Sequence, residues 1–373
     1  MKATARPKIR YAVAGLGHLA QVAVLPALKR CPNAKLVALI SGDPKKQKKV
    51  GEKYGVDRIY SYDQYEECLS NGVDAVYIVL PNHLHREYTV RALDTGVHVL
   101  CEKPMAVTEE ECEAMIRAAE KNNRKLMIAY RLHFERGNLE AIETARRGKL
   151  GDLRFFTSEF AQQVVKDNVR LTASVEEGGG PVYDMGIYCI NAARYLFGAE
   201  PTQVVATSAS KNETRFRVAE EMTAAVLKFP GDRLATFTAS FGAADIGRYT
   251  LVGTKGTLTA DPGYEYAEGI NLKVMIGDKT RTRRFPKRDQ FAAEIEYFSD
   301  CVLKNKEPEP SGLEGLADVR IIQAIYHSVD EQQTVALPPL VDKRRPTMEQ
   351  EIHRPAHGKP KTVKTQSPSG EAA

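Results

Sequence analysis

The hexapeptide Gly15-Leu16-Gly17-His18-Leu19-Ala20 stands between an apolar run and a helical pattern. Two glycines and a small residue at this spacing form a turn that cradles phosphate. Gly15 permits the sharp bend, Gly17 lets the backbone approach a pyrophosphate, and Ala20 allows close packing of helix on strand. His18 and Leu19 open the helix, whose free N–H groups and dipole favour an anion. An ordinary glycine-rich turn is the competing reading. The strand-like run Ile9–Ala14 before the turn, and the unit of ~30 residues that it opens, favour dinucleotide binding.

The second strand-like run ends in Ser41-Gly42-Asp43-Pro44-Lys45-Lys46. NAD sites usually place an acid at that strand end, against the ribose 2′-hydroxyl. Here Ser41 stands there. Its hydroxyl, the Gly42 amide and the Lys46 ammonium suit a 2′-phosphate, so NADP is the expected cofactor. Asp43 argues for NAD but sits two residues past the strand end. A solvated helical face is the alternative reading of Lys45 and Lys46.

Lys103 follows the run Val97–Cys101 and lies between Glu102 and Pro104. A residue before proline is held extended. The lysine therefore stands at a strand's C-terminal end, where open α/β sheets bind ligands. Taken alone, the position reads more simply as a surface lysine in a turn. Asp184 and Tyr188 are four apart in a stretch that reads as helix from Asp184 to Leu196, which puts them on one face. Gly178-Gly179-Gly180-Pro181 precedes them as a flexible lead. A helix-start acid beside a core tyrosine is the alternative. His83 and His85 form an HxH without a third ligand at useful spacing, so no metal is expected. His133 reads as a helix-start histidine satisfied by backbone, with contact to a substrate as the alternative.

The elements that must position these residues follow from periodicity. Strand-like runs at Ile9–Ala14, Leu36–Ile40, Ala75–Leu80, Val97–Cys101 and Leu126–Tyr130 alternate with helical patterns. One helix starts at Thr108 with Glu111 three residues on, a capping box. Such alternation predicts an α/β Rossmann domain with a doubly wound parallel sheet. After residue 150 the runs Leu153–Phe160, Thr202–Ala209, Met222–Phe229, Leu234–Phe241, Tyr249–Leu258 and Leu272–Ile276 predict an antiparallel sheet, followed by helices over Asp289–Lys304 and Leu313–Val329. The expected division is a nucleotide domain at 1–131, a C-terminal α+β domain at 132–341, and a disordered basic tail at 342–373.

Composition narrows the function classes. The 373 residues are 43% hydrophobic and 27% charged, which fits two globular domains. No apolar run reaches the ~18 residues that span a bilayer. The N-terminus MKATARPKIRYAVAG lacks the apolar stretch of a secretory signal, so a cytoplasmic location is expected. The net charge of +5 is mild and lies largely in PKKQKK (44–49) and DKRRP (342–346). No basic stripe with aromatics points to nucleic acid. The six cysteines form no CxxC pair and read as reduced, buried thiols.

Beyond these local signals, the chain resembles the Gfo/Idh/MocA oxidoreductases, and within them the glucose–fructose oxidoreductase branch. The likeness covers about residues 8 to 335. It rests on AGLGHLA, SGDPKKQKK, AVYIVLPNHLH at 75–85, CEKPMAV at 101–107 and AYRLHFE at 129–135. It continues in GGGPVYDMGIYCINAARYLFG at 178–198, RYTLVGTKGTL at 248–258 and ADVRIIQAIYHS at 317–328. The resemblance implies a second domain with a large open, mostly antiparallel sheet. It also implies a homodimer or homotetramer assembled through that sheet's exposed face.

The resemblance further implies NADP(H)-dependent hydride transfer at the C1 hydroxyl or carbonyl of a sugar. Tyr188 would be the acid/base, Lys103 would tune it, and Asp184 would orient the sugar. A free phenol holds its proton to about pH 10, and a neighbouring ammonium favours its ionised form. Tyr62, Leu80, Asn82, His85, Glu102, Arg131 and Arg170 match positions lining the cofactor. Three other readings stay open: aldose/ketose transhydrogenation with NADP recycled in place, a non-catalytic NADP sensor, and NAD-dependent polyol dehydrogenation. Tyr188 where many members carry histidine, and Ser41 in place of an acid, count against the last. The chain departs from the branch in three ways. Only eight residues precede Ile9, where periplasmic members carry an export signal and a cofactor-trapping arm. Val169 stands where the branch has tryptophan. The C-terminal tail has no counterpart.

Overall fold

The computed structural model describes residues 7–211, 213–338, 340 and 346–370. The first sheet has six parallel strands: β1 (Ile9–Ala14), β2 (Ala34–Ile40), β3 (Ile59–Tyr60), β4 (Ala75–Ile78), β5 (His98–Glu102) and β6 (Leu126–Ala129). Their order is β3-β2-β1-β4-β5-β6. The central strands are buried on both faces, which is why they read as continuous apolar runs. Helices start and stop where local chemistry dictates. Asp43 caps the helix Pro44–Tyr54, which ends at the left-handed Gly55. The Thr108–Glu111 box opens the helix Glu109–Lys121 as expected.

The second sheet has nine strands: β7 (Leu153–Ala161), β8 (Gln203–Ala209), β9 (Met222–Phe229), β10 (Arg233–Ser240), β11 (Ile246–Gly253), β12 (Gly256–Ala260), β13 (Ile270–Ile276), β14 (Lys279–Phe285) and β15 (Val335–Ala336). The order is β14-β13-β12-β11-β7-β10-β9-β8-β15, antiparallel except where β10 runs parallel to β7. The expected single strand Tyr249–Leu258 is two strands, broken at Thr254-Lys255. Three strands were not expected. β3 and β15 are too short to show a period. β14, KTRTRRF, is an edge strand whose charged residues hide the alternation.

The helix Gln290–Leu303 returns to the first sheet. Phe291, Ile295 and Phe298 pack with Tyr11, Val13 and Leu25, and the Tyr11 hydroxyl lies 2.8 Å from Ser299 Oγ. The helix Gly312–Glu331 packs on β8 and on the helix Glu109–Lys121.

The tail expected to be disordered is instead laid against the body over residues 346–370. Glu351 takes both Arg136 and Arg288, Arg354 pairs with Glu296, and Arg354 O accepts from the Asp289 amide at 3.0 Å. Its polar composition hides this order because charged and backbone partners on the body, rather than an apolar stripe, hold it. Residues 342–345 and 371–373 of the expected tail lie outside the described residues.

Candidate active site

Five motifs meet at one edge of the first sheet. Gly15, Ser41, Leu80, Lys103 and Arg131 each stand just past the C-terminal end of β1, β2, β4, β5 and β6. The strand order reverses between β1 and β4, and open α/β sheets take ligands in that crevice.

Gly15 has φ +97°, and a Cβ there would meet Val79 O at 2.2 Å. A Cβ on Gly17 would meet nothing within 4 Å. That open space is what a pyrophosphate requires, so the turn fits a dinucleotide. Half-buried His18 and Leu19 lead into a π-helical turn, Ala20–Val24. Burial, then the charge of Arg170, holds the His18 pKa below the usual value. At the end of β2, Ser41 is buried, with its Oγ 3.4 Å from the Asp43 amide. Asp43 accepts from the Lys46 amide at 2.9 Å, which lowers its pKa; half-exposed Lys46 sits on the first helical turn. The Tyr62 ring lies 3.4 Å from where a Gly42 Cβ would stand, and so walls the same end.

The other end centres on Asp184. Lys103 Nζ donates to its backbone O at 2.7 Å and to Oδ1 at 3.1 Å, while Arg170 Nε donates to Oδ2. Burial opposes the charge on Asp184, but Arg170 and Lys103 outweigh it and hold the carboxyl well below the usual range. Burial likewise opposes the charge on Lys103; Asp184, Tyr188 and Glu102 overcome it, so the ammonium keeps its proton more firmly than a free lysine. Asp184 lies in the π-helical turn Val182–Gly186 and Tyr188 in the helix Ile187–Phe197 that continues it. Lys103 Nζ and the Arg131 guanidinium carbon are each 4.9 Å from the centre of the Tyr188 ring. Asn82 Nδ2 donates to Gly178 O at 2.7 Å, tying the loop after β4 to the glycine lead.

Two residues expected to line the cofactor face inward instead. His85 is 0% exposed; Nδ1 lies 2.8 Å from Pro104 O and Nε2 2.9 Å from Leu80 O. Burial lowers its pKa although two carbonyl neighbours favour the protonated ring. The ring fastens the turn that carries Lys103. Glu102 is 6% exposed, and its Oε1 lies 2.8 Å from the Tyr77 hydroxyl, which is also 3.0 Å from Glu294 Oε1. A phenol has one proton and cannot serve two carboxylates. Burial raises the pKa of both acids, which favours protonation of one of them and its donation to the phenol oxygen. His133 is buried against Tyr130 and Tyr195, with its Nδ1 3.5 Å from Glu309. Among the described residues neither ring nitrogen has a hydrogen-bond partner, so the backbone satisfaction expected for it is not seen. Among the described residues no cluster of three His, Cys, Asp or Glu could hold a metal.

Sequence reasoning missed the loop between β12 and β13. Tyr264 lies 6.0 Å from Tyr188, ring to ring, and Arg131 sits 5.2 Å from the Tyr266 ring while donating to Tyr264 O and Gln290 Oε1. Its only signal was the aromatic pair in Asp261-Pro262-Gly263-Tyr264-Glu265-Tyr266. Val169, where the branch has tryptophan, is 59% exposed.

Comparison with known proteins agrees with this layout. The model described as "Oxidoreductase family, NAD-binding Rossmann fold" matches residues 9–130, and that of the GFO/IDH/MocA C-terminal domain matches residues 138–259. A D-xylose 1-dehydrogenase [NADP(+)] of Haloarcula marismortui is 32% identical, over 88% of this chain and 93% of that protein. The aldose-aldose oxidoreductase of Caulobacter crescentus, complexed with glycerol, superposes with TM-score 0.83 at 38% identity, over 88% of this chain and all of that one. A 3-ketoreductase of Actinomadura kijaniata, in complex with NADP and TDP-benzene, superposes with TM-score 0.79 at 26% identity, over 86% of this chain and 98% of that one.

Proposed function

Because the chain belongs to the Gfo/Idh/MocA oxidoreductase family, we propose that it is an NADP(H)-dependent oxidoreductase acting on the C1 hydroxyl or carbonyl of a sugar, as an aldose dehydrogenase or sugar reductase. The observation that carries this reading is the convergence of Lys103, Asp184 and Tyr188 on the crevice that begins at Gly15 and Gly17. The NADP-dependent xylose dehydrogenase among its relatives supports the cofactor and the substrate class.

Residues 1–131 hold the cofactor in this reading, and residues 132–341 hold the sugar and the assembly contacts. Gly15, Gly17, His18 and Leu19 hold the pyrophosphate. Ser41, Gly42, Lys46 and Tyr62 hold the adenosine end, while Leu80, Asn82, Lys103, Arg131 and Arg170 border the nicotinamide end. When bound, NADP(H) supplies the hydride chemistry. Tyr188 Oη takes the proton of the sugar hydroxyl in oxidation and returns it in reduction. Lys103 and Arg131, each 4.9 Å from the centre of the Tyr188 ring, set two positive charges beside the phenol. Tyr188 in turn raises the pKa of both cations. Asp184, kept ionised by Arg170 and Lys103, accepts a hydrogen bond from the sugar and orients it.

Transhydrogenation between two sugars, with NADP retained, is a second reading. The likeness to the aldose-aldose oxidoreductase supports it, as does the C-terminal segment's bond from the Val363 amide to Gln21, next to the glycine turn. For assembly, Phe155, Val205, Leu234 and Met275 lie exposed on the second sheet and suit a homodimer or homotetramer interface. Six buried free cysteines suit a reducing compartment such as the cytoplasm.

The deciding experiment is purification without added nucleotide, mass analysis of any nucleotide retained, and assay of aldoses and ketoses with NADP+ and NAD+. Turnover of an aldose with NADP+ is expected. Retained nucleotide selects the second reading. Nucleotide binding with no turnover of any sugar would overturn both and leave the sensor.

A further inference from the structure

Residues 359–370 run along the mouth of the cofactor crevice from one end to the other. The Val363 amide donates to Gln21 Oε1 at 2.7 Å, and Gln21 Nε2 donates back to Val363 O at 3.0 Å. Gln21 is 1% exposed and also donates to Leu16 O at 3.0 Å, so this anchor reaches the glycine turn itself. Burial, then Arg170, then Lys359 lower the His18 pKa. At Lys364 the backbone turns into the left-handed region, φ +48°, so that Val363 faces Gln21 while Lys364 Nζ lies 3.2 Å from Asp43 Oδ2. Among the described residues the buried Thr365 hydroxyl has no hydrogen-bond partner. Further on, Pro368 O accepts from the Val165 amide at 2.9 Å, and Asn168 Nδ2 donates to Ser367 O at 3.4 Å. Asn168 is two residues from Arg170, which holds Asp184.

The pair Lys364–Asp43 does little for folding. Lys364 is 50% exposed, and exposed pairs contribute little. The backbone anchors at Val363, Ser367 and Pro368 already hold the segment. The electrostatic effect of the pair is local: Asp43 is the one acid at the end of β2, where it would repel a 2′-phosphate, and Lys364 offsets it. An ammonium has three donors. Among the described residues one serves Asp43 and two remain; the amide of that same Asp43 lies 3.4 Å from Ser41 Oγ.

We infer that residues 359–370 form the outer wall of the dinucleotide site, and that Lys364 is a ligand of the 2′-phosphate that sets the preference for NADP over NAD. The inference rests on the cofactor reading above and deepens it.

The test measures affinities of the full chain for NADP+ and NAD+ by calorimetry, in wild type, Lys364→Ala and Lys364→Glu. It adds the NADPH dissociation rate of a chain ending at Gly358. Lys364→Ala is expected to weaken NADP+ about tenfold, and Lys364→Glu further, with NAD+ changed less than about twofold. The shortened chain is expected to release NADPH about tenfold faster. Wild-type discrimination retained in both point variants overturns the role of Lys364 and leaves the cofactor reading standing. A wild-type protein that binds NAD+ as tightly as NADP+ overturns the cofactor reading, and the role of Lys364 with it. An unchanged release rate overturns the wall. If the shortened chain does not fold, the release rates of the point variants decide.

Discussion

The Lys103 ammonium lies 4.9 Å from the centre of the Tyr188 ring. The two residues are distant in sequence. β5 delivers the lysine and the helix Ile187–Phe197 the phenol, and Asp184 binds the lysine so that it cannot swing away. Under the proposed function this ammonium, phenol and carboxylate form the unit that moves one proton.

Tyr188→Phe removes the proposed proton carrier and little else. Turnover is expected to fall roughly 10²–10⁴-fold, with NADP+ affinity nearly unchanged. Steady-state kinetics and calorimetry on one preparation measure both. Turnover near wild type would remove Tyr188 from the chemistry.

Lys103→Met keeps the length of the side chain and deletes the charge. The expected loss of turnover is again roughly 10²-fold or more. Its ammonium is held more firmly protonated than a free lysine's. The wild-type rate profile should therefore show no loss from Lys103 as pH rises to about 10. An alkaline limb near pH 8 that Lys103→Met abolishes would contradict this.

Ser41→Asp places a second acid beside Asp43, where the 2′-phosphate is proposed to lie. Like-charge repulsion should weaken NADP+ about tenfold or more and leave NAD+ largely intact. Unchanged NADP+ affinity in a binding titration would mean that the phosphate lies elsewhere.

Asp184 carries a pH signature in stability. Its folded pKa is held below the unfolded value of about 3.9. The stabilisation is therefore complete above about pH 5 and is lost as pH falls through the folded value. Asp184→Asn should melt below wild type at neutral pH, and the gap should close as the pH drops below about 4. Thermal midpoints from pH 3 to 7 would show it. A constant gap would mean that the ion pairs contribute nothing.

Arg194 is buried with Glu314, Asp318 and Glu200 around it. Arg194→Met strands buried carboxyls that burial already pushes toward protonation. The expected cost is about 3–5 kcal/mol near neutral pH. Denaturant unfolding measures it, and a loss under about 1 kcal/mol would show that the site relaxes.

Local pattern carried much of the first sheet. Ile9–Ala14 reads as a strand because parallel strands are buried on both faces, and Thr108 with Glu111 announces a helix start through its own hydrogen bonds. The glycine turn was legible because positive φ at Gly15 and open space at Gly17 are requirements on single residues. The family motifs named Lys103 and Tyr188, but no motif states where a side chain points. Only the packed structure turned Glu102 and His85 inward, brought Arg131 and Tyr264 to Tyr188, returned Gln290–Leu303 to the first sheet and laid residues 346–370 on the body. Each of these joins residues far apart along the chain. Hydrophobic period and turn chemistry act over a few residues, whereas partners across long separations are chosen by which surfaces meet once the sheets have packed.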